Sequence, residues 1–194
     1  MQYARMATSY DRWMAPIEFF WLSKVRREIF SELSGRVLEV GFGTGVNVGL
    51  HPPDTEVTAI DLEPRMVERG RDRPGAQALT IAVMDVQRLD FPDDTFDSAV
   101  STLTFCGVAD PVRGLREIYR TLKPGARLLM LEHTLGPFWI ENQVLKAMSR
   151  LTAPHGEFFD RDIAGMLVEA GFVDVAAEHR ALGTFYRFEG RKPA

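Results

Sequence analysis

The sequence predicts an α/β fold in which a seven-stranded sheet carries helices on both faces, preceded by an amphipathic helical segment. Three observations predict this class: short apolar runs bounded by turn-forming residues, helical periodicity between those runs, and a length of 194 residues without an internal repeat. Strands that alternate with helices in this way usually form parallel sheets covered on both sides. We expect the N-terminal segment to occupy residues 1–34 and a single domain to occupy residues 35–194.

The predicted strands and helices follow one another in a regular order. The strands are expected at 36–40, 57–61, 79–84, 96–101, 127–132, 172–178 and 184–188. Helices are expected to begin at Pro64 and to cover 112–122 and 163–170. Proline suits the first turn of a helix, and glycine, as at Gly171, suits the position just beyond its end. The last two strands are expected to form an antiparallel hairpin around Leu182-Gly183.

Composition and charge narrow the possible functions. The chain is 45% hydrophobic and 26% charged with a net charge of −4, which fits an ordinary globular protein and argues against a general nucleic-acid binder. No apolar run reaches the roughly 20 residues that span a bilayer, and the start does not read as a secretion signal. Cys106 is the single cysteine and the four histidines are scattered. We therefore expect a reducing compartment, no disulfide and no metal site.

Three glycines follow the first predicted strand at alternate positions, Gly41, Gly43 and Gly45. Glycine tolerates positive φ and leaves room for close approach, so such a loop can simply turn the chain or can wrap a ligand. A nicotinamide-dinucleotide fingerprint requires its third glycine three residues after the second, where this chain has Val46. The spacing after Glu39 instead suits a nucleoside with an uncharged linker, such as S-adenosylmethionine.

Acidic residues lie at the ends of the next two predicted strands. Asp61 ends the second strand, and Asp85 follows the third between Met84 and Val86. In open parallel sheets, ligands bind beyond the carboxyl ends of the strands. There Asp61 could accept both hydroxyls of a ribose, or could instead cap the following helix, while Asp85 could accept from an adenine amino group. Polar groups at three successive strand ends together favour a nucleoside site.

These segments resemble the ordered motifs of class I S-adenosylmethionine-dependent methyltransferases, in particular the ubiquinone/menaquinone C-methyltransferase-like superfamily. The resemblance rests on residues 39–45, 59–62 with Met66 downstream, 84–86 and 122–128. It implies a Rossmann-like sheet and the following cofactor-binding residues: Glu39, Gly41, Gly43, Gly45, Asp61, Leu62, Met66, Asp85, Val86 and Ser101. One departure is the stretch 46–50, which is brief and followed by Pro52-Pro53, so the usual first helix must be short.

The N-terminal segment is rich in aromatic and basic residues. Its apolar side chains recur with the spacing of one helix face: Tyr3, Met6, Ala7, Tyr10, Trp13, Met14 and Ile17. Helical spacing continues to residue 33. Most such stripes pack on their own domain, but this composition is also typical of helices that lie at a membrane surface. The segment could cover the cofactor in one state and contact anionic lipid in another. This predicts a cytoplasmic protein held peripherally on the inner face of the membrane.

The chemistry of methyl transfer suggests candidate catalytic residues. Transfer from a sulfonium is an in-line displacement, which depends on alignment and exclusion of water more than on a strong catalytic side chain. An amine acceptor must first lose a proton, because its pKa lies at about 10, like that of lysine. His133, directly after the fifth strand, is the first candidate base, with Glu132 and Tyr10 next. His133 could equally serve as a capping or supporting residue.

Two further segments resemble a narrower branch that includes bacterial phospholipid N-methyltransferases. They are residues 101–108 with 131–133, and the Tyr-Asp pair at residues 10–11. With phosphatidylethanolamine as acceptor, Arg161 could clamp its phosphate, and aromatic rings could surround a methylated ammonium. The predicted substrate-binding residues are Tyr3, Trp13, Phe105, Trp139 and Arg161. The branch more often has cysteine where Glu157 follows Gly156.

The sequence therefore predicts stepwise N-methylation of phosphatidylethanolamine to phosphatidylcholine, with S-adenosylmethionine as cofactor and S-adenosylhomocysteine as product. C-methylation of a quinone precursor and methylation of a thiol or another small molecule are alternatives on the same fold. A cofactor-binding scaffold that has lost its acceptor site is the non-enzymatic alternative. We expect a phospholipid at an anionic membrane surface as partner, no nucleic acid, no metal and a monomeric protein.

Overall fold

The computed structural model describes residues 22–136, 139–181 and 184–194, which form α-helices and one mixed sheet. The helices are α1 (Ser23–Ser31), α2 (Pro64–Arg71), α3 (Pro111–Thr121), α4 (Trp139–Thr152) and α5 (Ile163–Ala170). The strands are β1 (Arg36–Val40), β2 (Glu56–Asp61), β3 (Thr80–Val83), β4 (Phe96–Thr102), β5 (Leu122–His133), β6 (Val173–Ala181) and β7 (Phe185–Arg191).

The sheet has the strand order β3-β2-β1-β4-β5-β7-β6. β1 pairs in parallel with β2 on one side and with β4 on the other, and β3 and β5 extend these parallel pairings outward. β7 lies antiparallel between β5 and β6. The carboxyl ends of β1 to β5 therefore share one edge, and the winding reverses at β1, which is where ligands bind in open sheets of this kind.

Side chains of the central strands alternate between two hydrophobic clusters, one on each face of the sheet. In β5, Leu128 and Met130 contact the cluster that also contains residues of α3 and α5. Leu129 and Leu131 contact the opposite cluster, which contains the buried side of α1. This alternation follows from the two-residue period of a strand, and both faces of the central strands are therefore buried.

The structure confirms the predicted fold class and the order of the strands. The prediction of a short helix over 46–50 is wrong, because this stretch forms turns, such as the one in which Val48 N–H donates to Gly45 O. Gly49 has φ +85 and Pro52 lacks an N–H group, so neither residue continues a helix. The loop therefore passes directly from the glycines to β2.

The helical segments agree with the prediction in one region and differ in another. Helix α1, which packs on the sheet, confirms the helical spacing expected up to residue 33, whereas the stripe predicted over residues 3–17 lies outside the described residues. Helix α4 was not predicted. None of the helices in the described ranges is long and apolar enough to cross a bilayer, and no group of metal-ligating side chains gathers there.

Candidate active site

The carboxyl ends of β1, β2 and β4 and the start of the loop after β3 surround a cavity of about 330 Å³. This volume is typical of small-molecule sites. The predicted cofactor residues on its wall are Gly41, Gly43, Asp61, Leu62, Met66, Asp85 and Val86. The topology therefore brings together residues that are separated by up to 45 positions in the chain, because parallel strands end at the same edge.

The glycine loop is held against β2 and β4. The N–H groups of Gly41 and Phe42 both donate to Ile60 O at 2.9 Å. Gly41 has φ +82, and a Cβ there would collide with the Thr104 side chain. A Cβ at Gly43, which has φ +56, would make only an ordinary contact with Gly41 O at 3.9 Å. The loop therefore requires glycine at position 41 for packing, and Gly43 leaves room beside the cavity for a ligand.

Asp61 is the link between the glycine loop and α2. Its Oδ2 accepts from Gly43 N–H at 2.8 Å, and its Oδ1 accepts from Glu63 N–H at 2.9 Å. Burial raises the pKa of Asp61 above its ordinary value. Glu63, not Asp61, caps α2, because the Glu63 side chain accepts from Arg65 N–H. Asp61 instead orients the loop and presents a carboxylate to the cavity.

Asp85 lies at the other end of the cavity, beyond β3. Its Oδ1 accepts from both the backbone N–H and the side-chain amide of Gln87, at 2.9 and 3.0 Å. The Gln87 Oε1 in turn accepts from Asp110 N–H. Met84 and Val86 line the cavity beside the carboxylate. A hydrogen-bond acceptor between apolar side chains is an arrangement that suits a flat purine ring.

Three predicted cofactor residues lie away from the cavity wall and support it. Glu39 is buried beneath the loop, where it accepts from Asn47 Nδ2 at 2.7 Å and pairs with His51 Nε2 at 2.9 Å. Gly45 packs against the backbone of α2, and Ser101 is buried within β4. In the structure these three residues support the cavity wall from behind, and their contact with the cofactor stays a prediction.

The loop after β4 is held from two sides by the side chains of Glu132 and Arg161. Glu132 Oε1 accepts from the N–H groups of Thr104 and Phe105 at 2.8 and 3.0 Å. Arg161 Nη1 donates to Phe105 O and to Val108 O. Burial raises the pKa of Glu132 to about 7 and lowers the pKa of Arg161. The two side chains thus fasten complementary backbone groups of a loop that itself lines the cavity.

The pKa of Glu132 predicts how stability changes with pH. Raising the pH from about 5 to about 8 is expected to lower the melting temperature of the native protein relative to a Glu132→Gln variant. The folded protein holds the Glu132 proton up to about pH 7, whereas the unfolded chain releases it at a lower pH, so stability from this group is lost as the pH rises.

Thermal melts across this pH range measure the effect. The glutamine retains an oxygen that can accept the two N–H groups but cannot titrate. Glu68→Gln, at an exposed position of α2, is the matched control, and it should leave the pH dependence of the native protein unchanged. A melting-temperature difference between native and Glu132→Gln protein that stays constant with pH would contradict the assignment.

The predicted catalytic residues do not line the cavity. The His133 ring lies against Phe159 and Phe185, with centroid distances of 5.5 and 4.2 Å, and burial lowers the pKa of His133 to about 4. Neither His133 nor Glu132 belongs to the cavity wall, so a general base at these positions has no geometric support among the described residues. The third candidate, Tyr10, lies outside the described residues.

The predicted substrate-binding residues are dispersed. Phe105 is fully buried in the core, so its ring is not available to an acceptor in this arrangement, and the Arg161 Nη1 predicted for a phosphate instead holds loop carbonyls. Trp139 is exposed on α4. The other two, Tyr3 and Trp13, lie outside the described residues.

Three residues that the sequence did not single out form one corner of the site. Arg26, from α1, lines the cavity, and its Nη1 donates to Asn47 Oδ1 at 2.8 Å and to Thr102 Oγ1. All three side chains are buried. The sequence offered one signal for this corner: Arg26 occupies the otherwise apolar face of its helix. A charge on a face that packs against the sheet requires polar partners there.

Comparison with known proteins assigns the family. Residues 38–130 match the sequence family described as a methyltransferase domain. A phosphatidylethanolamine N-methyltransferase of Cereibacter sphaeroides is 30% identical over 206 residues, which cover 98% of this chain and 100% of that protein. The chain belongs to the S-adenosylmethionine-dependent methyltransferases. A ubiquinone/menaquinone biosynthesis C-methyltransferase of Geobacter sulfurreducens is 39% identical to this methyltransferase over 107 residues, covering 50% of the chain and 41% of that relative.

Solved structures agree on the fold of this methyltransferase. An S-adenosylmethionine-dependent methyltransferase of Thermotoga maritima superposes with a TM-score of 0.77 at 23% identity, over 98% of both chains. Phosphoethanolamine N-methyltransferase 2 of Haemonchus contortus, in complex with S-adenosylmethionine, superposes with a TM-score of 0.65 at 16% identity, over 84% of this chain and 49% of that one. The methyl donor of the methyltransferase described here is therefore S-adenosylmethionine.

The residues of the cavity fit this cofactor. Acceptor groups at the end of β2 and beyond β3 match the donors of a ribose and an adenine, and the lack of a side chain at Gly43 leaves room for the methionine part that extends from the ribose. The cavity wall also contains three carboxylates, of Asp61, Glu63 and Asp85, and the guanidinium of Arg26, which suits a ligand with cationic and anionic groups.

Proposed function

We propose that this methyltransferase methylates the amine of phosphatidylethanolamine and of its mono- and dimethyl forms. The observation that carries the proposal is the similarity to the Cereibacter sphaeroides enzyme, which extends over the full length of that protein and nearly all of this chain. It therefore includes the segments after β5, which lie beyond the methyltransferase-domain match. In methyltransferases of one fold, segments outside the cofactor motifs carry the difference between acceptors.

We assign the cofactor contacts to the wall residues at the strand ends. Asp61 accepts from the ribose hydroxyls, Asp85 accepts from the adenine amino group, and the backbone at Gly41 and Gly43 passes close to the methionine part. The bound cofactor supplies a methyl carbon on a sulfonium, which leaves as a neutral thioether. The protein contributes alignment and a cavity from which water is excluded.

The lipid acceptor implies contact with a membrane surface, and α4 presents a suitable face. Its inner side is anchored by buried Leu145 and by Ser149, whose Oγ accepts from Phe159 N–H. Its outer side exposes an apolar stripe, called here the α4 stripe: Ile140 (69% exposed), Val144, Met148 and Leu151 (77% exposed). A solvent-facing stripe of this kind on a soluble domain marks an interaction surface.

Charge and position favour a lipid surface as the occupant of the α4 stripe. Lys146 and Arg150 are also exposed on α4, and Trp139 is exposed at the start of the helix. Exposed cations, an apolar stripe and a tryptophan on one helix are typical of helices at anionic interfaces. Helix α4 also continues through one helical turn to Gly156, which lines the cavity. A lipid under α4 would thus lie beside the cofactor site.

A double substitution in the α4 stripe tests this placement. Ile140→Glu with Leu151→Glu is expected to abolish most sedimentation with vesicles of anionic phospholipid, because it removes apolar contacts and adds repulsion. Val168→Glu, at a 62% exposed apolar position on α5, is the matched control and should bind like the native protein. Equal binding of the double variant would contradict the placement of a lipid surface on the α4 stripe.

A direct assay tests the acceptor. The enzyme is incubated with labelled S-adenosylmethionine and mixed vesicles containing phosphatidylethanolamine, and label is expected in the mono-, di- and trimethylated lipids. C-methylation of a quinone precursor is the second candidate, favoured by the 39% identity to the Geobacter sulfurreducens protein. Label in a demethylated menaquinone supplied in parallel, with none in lipid, would replace the proposal by that function.

A further inference from the structure

A single basic side chain reaches the cavity wall from α1. Among the described residues that line the cavity, Arg26 is the one lysine or arginine, while Asp61, Glu63 and Asp85 are acidic. Arg26 is only 6% exposed. A buried guanidinium requires hydrogen-bonding partners, and one that lies at the wall of a ligand cavity can in addition contact an anionic group of the ligand.

Neighbouring side chains hold the guanidinium in place. Arg26 Nη1 donates to Asn47 Oδ1 at 2.8 Å and to Thr102 Oγ1. Asn47 Nδ2 donates in turn to the buried carboxylate of Glu39 at 2.7 Å. Glu39 therefore acts on the cavity through Asn47, which explains how an acid that does not line the wall contributes to the site. The neighbours of Arg26 on α1, such as Val25 and Ile29, are buried against the sheet.

The charged groups lie at opposite ends of the cavity. Thr102 ends β4, on one side of β1, while Asp61 ends β2 and Asp85 follows β3 on the other side. Three strand spacings separate β4 from β3, which corresponds to about 14 Å. With an adenosine at Asp61 and Asp85, the amino-acid part of the cofactor extends towards Arg26.

We infer that Arg26 binds the α-carboxylate of the methionine part of the cofactor. The inference rests on the adenosine placement proposed above and is independent of the acceptor. The carboxylate is the one anionic group of S-adenosylmethionine, and three acidic side chains on the wall would repel it without a cation. A guanidinium is suited to this role because it can form paired, charge-assisted hydrogen bonds with both carboxylate oxygens.

Two ligands that differ in this group provide the test. S-adenosylhomocysteine carries the amino-acid carboxylate, whereas 5′-methylthioadenosine shares the adenosine and sulfur and lacks the amino acid. Arg26→Gln is expected to weaken binding of S-adenosylhomocysteine by roughly 10- to 100-fold in calorimetry, as the loss of a hydrogen-bonded charge predicts. Binding of 5′-methylthioadenosine should change less than about twofold. Arg26→Lys, which retains the charge, should bind S-adenosylhomocysteine with intermediate affinity.

Matched controls separate this role from a structural one. Arg27→Gln replaces the exposed neighbour on the same helix and should leave both affinities unchanged. If Arg26→Gln lost the same affinity for both ligands, Arg26 would only support the loop. If it lost affinity for neither ligand, the carboxylate would bind elsewhere. Each of these results overturns the inference. If the lipid assay showed no methylated lipid, the expected difference between the affinities for S-adenosylhomocysteine and 5′-methylthioadenosine would still hold. The proposal for Arg26 and the proposal for the lipid acceptor can therefore be rejected independently.

Discussion

Replacing Asp61 with alanine is expected to weaken S-adenosylhomocysteine binding by about 100-fold or more. The substitution removes the acceptor proposed for the ribose hydroxyls and releases the N–H groups of Gly43 and Glu63, which Asp61 holds at 2.8 and 2.9 Å. A hydrogen bond to a charged group is worth roughly 1.5–3 kcal/mol, and about 1.4 kcal/mol corresponds to tenfold in affinity. Two such contacts are enough for the expected loss, which calorimetry measures directly.

The control for Asp61 is another carboxylate on the same wall. Glu63 also lines the cavity, and its side chain accepts only a long hydrogen bond, 3.3 Å, from Arg65 N–H. Glu63→Gln should therefore change the affinity less than about threefold, because it removes no proposed ribose contact. An Asp61→Ala variant that binds S-adenosylhomocysteine within about threefold of the native protein would remove Asp61 from the ribose site.

Replacing Gly41 with alanine is expected to lower the free energy of unfolding by about 3 kcal/mol and to abolish measurable cofactor binding. Two costs combine: an L residue at φ +82 is strained, and its Cβ would collide with the Thr104 side chain. Thr104 lies on the loop that Glu132 holds through two backbone N–H groups. Any shift that relieves the collision therefore disturbs both walls of the cavity.

Gly49 is the matched control for Gly41, because the two have nearly the same backbone conformation. Gly49 has φ +85, but nothing lies within 4 Å of the position where its Cβ would be. Gly49→Ala should therefore cost about 1 kcal/mol, from backbone strain alone, and retain cofactor binding. Chemical denaturation measures both variants, and equal costs for the two would show that contact with Thr104 adds nothing.

The positions of the predicted cofactor residues were largely predictable from the sequence, while their contacts with the cofactor stay predictions. Asp61 and Asp85 were placed correctly on the cavity wall because the carboxyl ends of parallel strands meet at one edge, so a position in the chain predicts a position in space. The fold class followed from the same periodicities. Glu39 belongs to the same motif, but its side chain lies behind the cavity wall, where it accepts a hydrogen bond from Asn47. The motif could not predict this, because it does not show the direction in which a side chain points.

The positions of the residues predicted for catalysis and acceptor binding were less predictable, and their roles stay predictions. Arg161 and Glu132 were assigned to phosphate binding and catalysis from sequence positions, whereas in the structure they hold carbonyl and N–H groups of the same loop. Phe105, expected to contact the acceptor, lies in the core. These positions depend on loops whose path is set by contacts between distant residues, and no periodicity in the sequence encodes such a path.

Helix α4 and Arg26 show what only the tertiary structure decided. Helix α4 has apolar residues on two sides, one buried and one exposed, so it lacks the single apolar face by which an amphipathic helix is recognised in a sequence. Arg26 belongs to a helix 15 residues before the first glycine of the loop, and its side chain meets Asn47 and Thr102 only after the sheet forms.

The sequence by itself determined the class of fold, the glycine loop and the acidic strand ends of a nucleoside site, because local spacing and strand order are properties of the chain. The tertiary structure decided which of those residues face the cavity and which support it. It also decided that Gly41 is required for packing against Thr104 and that a cation from α1 completes the wall. Burial and side-chain direction arise from packing between distant segments, which the order of residues alone does not display.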